Sequence, residues 1–87
     1  MNKMGTRGQG IKSGEYEKKY GFELKTIRLR NNFIQKDIAD YLDVTLQQYQ
    51  KYENGTVKIS IATEQKIATF FGMKRSELVK KIEEQMN

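Results

Sequence analysis

Residues 45–55, TLQQYQKYENG, place glutamines at 47, 48 and 50, tyrosines at 49 and 52 and a lysine at 51, and close on Asn54-Gly55. A glutamine amide both donates and accepts, so a row of them can read base edges, adenine's above all. Lys51 adds a charge that can meet a guanine edge or a phosphate. Two other readings compete: one arm of a β-hairpin turning at Asn-Gly, and a solvated polar face. A second constellation is Asp37, Asp40 and Asp43. Carboxylates at i, i+3 and i+6 share roughly one helix face and could hold a magnesium ion for a nuclease. The sequence has no histidine and no cysteine. That removes the commonest general base, the usual metal ligands and the usual nucleophile–base pairs. A solvated face is the simpler account of the aspartates, and neither an enzyme nor a cofactor is expected.

The bulk properties agree. Eighty-seven residues, 37% of them hydrophobic, make one small domain in which a deep substrate pocket is not expected. No apolar run approaches the ~20 residues that span a bilayer. The first residues, MNKMGTRGQGIKSG, lack an apolar signal-peptide core, so a cytoplasmic protein is expected. Sixteen basic and eleven acidic residues leave a net charge of +5, a mild preference for polyanions. The excess sits mainly in residues 1–21, with five basic and two acidic residues and five of the seven glycines. Residues 1–16 therefore read as a flexible basic tail, either a disordered leader or an arm on nucleic-acid phosphates. The folded domain is expected over 17–87.

The elements that must position the candidate residues follow from periodicity. Tyr20, Leu24 and Ile27 mark a first helix ending at Asn31-Asn32. Ile34, Ile38, Tyr41 and Leu42 form a stripe on a second, with the small Ala39 beside it. Asp43 breaks it. Thr45 is the expected N-cap of the third helix, with Gln48 as its capping-box partner. Val44, Tyr49 and Tyr52 share one face there, and Asn54-Gly55 is a left-handed stop. The alternation Val57-Lys58-Ile59-Ser60-Ile61 keeps the hairpin alive, but Gln and Lys suit a helix better. Ser60 caps a fourth helix to Phe71, with Ile61, Ala68 and Phe71 inward and Ile67 and Phe70 close to that face. Gly72 ends it. Ser76 to Gln85 makes a fifth, striped by Leu78, Val79, Ile82 and Met86. The predicted architecture is all-α, a compact bundle of four to five short helices. Two of them are joined by a tight turn over about 35–54, which is helix-turn-helix geometry.

QKDIADYLDVTLQQYQKYENG, residues 35–55, resembles the helix-turn-helix of the Cro and phage-repressor family, also called the XRE family. Gln35, Ala39, Val44 and Glu53-Asn54-Gly55 carry the likeness. YGFELKTIR (20–28) is similar to the family's first helix and ISIATEQKIATFFGM (59–73) to its fourth, so the resemblance covers about residues 20–79. It implies a lambda-repressor-like DNA-binding fold whose third helix enters the major groove. Leu46, Gln47, Gln48 and Lys51 would then face bases, Leu46 meeting a thymine methyl. Gln35, Thr45, Asn54, Thr56 and Lys58 would follow the backbone. Gln48 keeps its second reading as a cap, and Gln50 reads as solvent-facing. Tyr49 and Tyr52 read as core rather than as stacking platforms. The resemblance also implies an ion pair of Arg28 with Glu53. Three departures stand out: Asp43 for a usual glycine, Ile34 for the usual cap before Gln35, and Glu64 for a usual apolar residue. The second predicts a frayed start to helix two. A partner or a locally rotated helix would explain the third.

The function expected is a transcriptional regulator that binds double-stranded DNA as a homodimer, with repression the commoner outcome. The alternative is an antitoxin-like or phage-type interaction module whose protein partner docks on Leu78, Val79, Ile82 and Met86. The bland account of that stripe is packing on its own core.

Overall fold

The computed structural model describes residues 14–86. The basic tail expected over 1–16 lies outside the described residues as far as position 13. Five helices follow in chain order: α1 (Glu15–Arg30), α2 (Gln35–Leu42), α3 (Leu46–Asn54), α4 (Ile61–Phe70) and α5 (Arg75–Met86). The described residues contain no strand, so the hairpin reading of 45–61 falls.

Helix α1 begins five residues ahead of the Tyr20 pattern. Glu15 and Glu17 sit in its first turn, where negative charge suits the positive end of the helix. The Tyr16 ring packs 6.0 Å from that of Tyr20. Its hydroxyl donates to Glu83 Oε2 at 2.8 Å, tying the start of α1 to the end of α5. Burial, and then Glu83, push the Tyr16 pKa up to about 12.

Helix α2 lacks a side-chain cap at Ile34, yet its start is closed from the other direction. Asp37 Oδ2 accepts from the Ile34 N–H at 3.0 Å, half of a capping box, so the expected fraying is not what the structure shows. Ile34 itself is extended and 62% exposed, outside the stripe to which periodicity assigns it. Tyr41 is also exposed, leaving Ile38, Ala39 and Leu42 to face the core. Asp43 adopts φ 58°, ψ 44°, the left-handed conformation that the turn into α3 demands. That conformation costs most residues about 1–2 kcal/mol, less for Asp. Asp43→Gly is therefore expected to stabilise the protein by about 0.5–1 kcal/mol. A higher urea midpoint at unchanged slope would show it; an unchanged midpoint would mean that Asp43 relieves its own strain.

Thr45 and Ser60 each accept from the backbone N–H three residues on, Gln48 at 3.0 Å and Thr63 at 3.1 Å, and so cap α3 and α4. Gly55 closes α3 at φ 73°. The core gathers Tyr20, Leu24, Ile38, Ala39, Leu42, Tyr49, Tyr52, Ile67, Ala68, Leu78 and Ile82. An aromatic cluster joins α2 to α4, with Phe33 and Phe70 centroids 4.7 Å apart and Tyr41 and Phe70 5.3 Å apart.

Two expectations are corrected here. Ile61 is 60% exposed, while Glu64 on the same helix is buried. Polar partners from two other helices decide this: Glu64 accepts from the Tyr20 hydroxyl on α1 and from Arg75 Nε on α5 at 2.8 Å. The unusual carboxylate is thus an internal tie, and no partner is needed to explain it. The second concerns α5. Leu78 and Ile82 are fully buried in the protein's own core, and Val79 and Met86 are half-buried. A docking stripe of Leu78, Val79, Ile82 and Met86 would need the core opened, so the interaction-module reading loses its surface.

Candidate nucleic-acid interface

Helix α3 is divided lengthwise. Its inner face holds Tyr49, Tyr52 and Glu53, all buried. Its outer face holds Leu46, Gln47 and Lys51, all exposed, with Gln48 half-buried at the edge. Glu53 is the one acidic residue between Val44 and Lys58, and burial removes its charge from the surface. The exposed face thus carries amides, an apolar side chain and a positive charge, with no exposed carboxylate among them.

A buried ionic lock fixes that face. Arg28 Nε lies 2.7 Å from Glu53 Oε2, and Arg28 Nη2 lies 3.1 Å from Oε1. Arg28 Nη1 donates to the Phe33 carbonyl at 2.8 Å, so one guanidinium holds α1, the α1–α2 turn and α3. Burial pushes the Glu53 pKa up, but donation from Arg28 and Gln35, with the Tyr49 hydroxyl close by, outweighs it and holds the carboxyl below its ordinary value. Hydrogen bonding to Glu53 raises the Arg28 pKa against the opposing effect of burial. The Tyr49 hydroxyl is buried beside the pair and has no partner at good hydrogen-bond geometry. Burial, and then Glu53, raise its pKa well above that of a free tyrosine.

The lock extends toward the surface. Gln35 Nε2 donates to Glu53 Oε1 at 3.0 Å, and Gln50 Nε2 donates to Gln35 Oε1 at 3.2 Å. Gln50, read from its own helix as solvent-facing, is half-buried between α2 and α3. Helical periodicity contains no term for a neighbouring helix, so sequence reasoning had no signal for this bond.

The remaining expected positions are peripheral. Thr45 and Asn54 are exposed at the two ends of α3. Thr56 is exposed but turns its hydroxyl to the Lys51 carbonyl at 3.4 Å, helping to finish the helix. Lys58 is exposed and lines a cleft of about 340 Å³ with Tyr52, Ile59 and Ile61. The aspartates of α2 do not converge. Asp37 closes the helix start and Asp40 pairs with Lys36 at 3.0 Å. Among the described residues no group of three His, Cys, Asp or Glu side chains is placed to hold a metal ion.

A family model described as Helix-turn-helix matches residues 24–78, more than half of the chain and all of α2, the turn and α3. The chain belongs to the XRE-type helix-turn-helix family. A comparison with curated proteins finds no match. As an XRE-type helix-turn-helix protein it is a DNA-binding transcriptional regulator. No helix among the described residues of this family member is long and apolar enough to cross a membrane.

Proposed function

We propose that the protein is a repressor that binds a two-fold related operator as a homodimer. Leu46, Gln47, Gln48 and Lys51 meet base edges, and Gln35, Thr45, Asn54, Thr56 and Lys58 follow the sugar–phosphate backbone. The observation that carries this reading is the outer face of α3, which is exposed, amide-rich and free of exposed carboxylate. A glutamine matches adenine's major-groove edge with both of its groups, and a short helix supplies only a few such contacts. Two copies on half-sites about 34 Å apart, or a multiple of that, double the contacts and bring the specificity a regulator needs. Occupying a promoter then excludes polymerase.

Selection from a random duplex pool tests the reading. The expected product is a palindromic site. Gln47→Ala should weaken its binding by about 1–3 kcal/mol, roughly 5- to 150-fold, and relax the preference at one base pair of each half-site. Gln65→Ala, exposed on α4, should be silent. Sequence-blind binding that disappears at physiological salt would show that charge alone was responsible and would overturn the operator reading. An asymmetric selected site would overturn the homodimer.

A further inference from the structure

The Gln50–Gln35–Glu53–Arg28 chain has a direction, and the direction sets what Gln35 offers a ligand. Glu53 is a carboxylate held ionised by Arg28, so it can only accept. Gln35 must therefore turn its NH2 group toward Glu53 and its carbonyl oxygen away. That oxygen is taken by the Gln50 amide on the next helix. Both hydrogen-bonding ends of the Gln35 amide are then engaged, and the donor left over is its second N–H. Gln35 is the first residue of α2, half-buried, with its backbone at the helix N-terminus. A donor there suits an anion, whereas a carbonyl oxygen would repel one.

We propose that Gln50 is a positioning residue, clamping the Gln35 amide so that a DNA phosphate meets an N–H. This rests on the reading of Gln35 as a backbone contact. Gln50 acts through Gln35 and touches no nucleic acid itself. Losing it frees the Gln35 oxygen to seek water and leaves the amide held at its Glu53 end alone, so that the N–H facing the phosphate is less firmly placed. Because phosphates carry no sequence information, the loss falls equally on every duplex. A single neutral hydrogen bond sets the scale at about 3- to 10-fold in affinity.

The test is a double-mutant cycle on the full chain, with two probes: the selected duplex and a scrambled one of the same length. Gln50→Ala, Gln35→Ala and the double variant are compared with wild type. Gln50→Met, which keeps the length of the side chain and removes the donor, serves where the alanine variant is poorly folded. Expected are equal 3- to 10-fold losses on both duplexes for Gln50→Ala or Gln50→Met, and a double variant no weaker than Gln35→Ala alone. Additive losses would mean that Gln50 contacts DNA directly, and a loss confined to the selected duplex would make it a base reader; either overturns the proposal. A silent Gln50 with a sensitive Gln35 would overturn the positioning role alone. A silent Gln35 would overturn the phosphate reading as well. Thermal unfolding of each variant separates these from a structural role, since a loss that merely follows a lower Tm would persist in the Gln35→Ala background.

Discussion

Glu53→Ala is expected to lower the unfolding free energy by about 3–5 kcal/mol. A domain of this size has about 5–10 kcal/mol in total, so the variant should be partly unfolded at 37 °C. Removing the carboxylate leaves the Arg28 guanidinium buried without its counter-ion, and it also orphans the Gln35 amide. The penalty comes from the stranded charge more than from the lost attraction. Replacing both partners together, Arg28→Met with Glu53→Leu, should therefore recover most of the loss. Urea unfolding of the single and double variants checks this. If Glu53→Ala keeps full stability but abolishes DNA binding, the residue belongs to the interface and the structural account is wrong. Acid should mimic the single variant. The folded-state pKa of Glu53 lies below its ordinary value. Its contribution is thus fully present above about pH 4.3 and is lost as pH falls through the folded value. Glu53→Gln should flatten that part of the stability profile.

Gly21→Ala is expected to lower Tm by about 10–20 °C. Intrinsic propensity predicts the opposite sign, since alanine favours a helix interior by about 1 kcal/mol over glycine. Packing decides. A Cβ at position 21 would stand 2.5 Å from the Tyr52 carbonyl oxygen and 2.7 Å from the Glu53 carbonyl carbon. Both are backbone atoms of α3 and cannot swing away, so α1 and α3 must separate. Overpacking costs about 1–3 kcal/mol where side chains can adjust, and more where they cannot. At about 4–8 °C per kcal/mol the shift follows. Thermal unfolding followed by circular dichroism checks it; an unchanged or higher Tm would mean that the two helices slide apart without loss.

These two residues illustrate how differently the sequence speaks. Periodicity at Tyr20 and Leu24, the caps at Thr45 and Ser60, and the Asn54-Gly55 stop each act within a few residues, and helix order is legible from them. Gly21 is not. It is one of the glycines crowded toward the N-terminus, and nothing local separates a tail glycine from one that lets two helix backbones touch. Ile61 and Glu64 mislead for the same reason. Hydrophobicity alone sends isoleucine inward and glutamate outward, and only Tyr20, 44 residues earlier, and Arg75, 11 residues later, reverse it. Asp37 looks like part of an acidic face because its capping role depends on the Ile34 N–H rather than on its own helix face. The division of α3 into two faces is legible, whereas the bond from Gln50 to Gln35 needs a second helix at a known distance.

That division of α3 has an evolutionary side. Leu46, Gln47 and Lys51 are exposed, and substitutions at such positions usually change stability by no more than about 0.5 kcal/mol. Tyr49, Tyr52 and Glu53, on the opposite face of the same nine residues, are buried, where substitution opens a cavity or strands a charge. Under the proposed base-reading role of these positions, new target sequences are open to this protein through drift at a few surface residues, one at a time, without passing through an unfolded intermediate sequence. Under that same reading, duplicated copies would diverge in target while their interiors stay interchangeable.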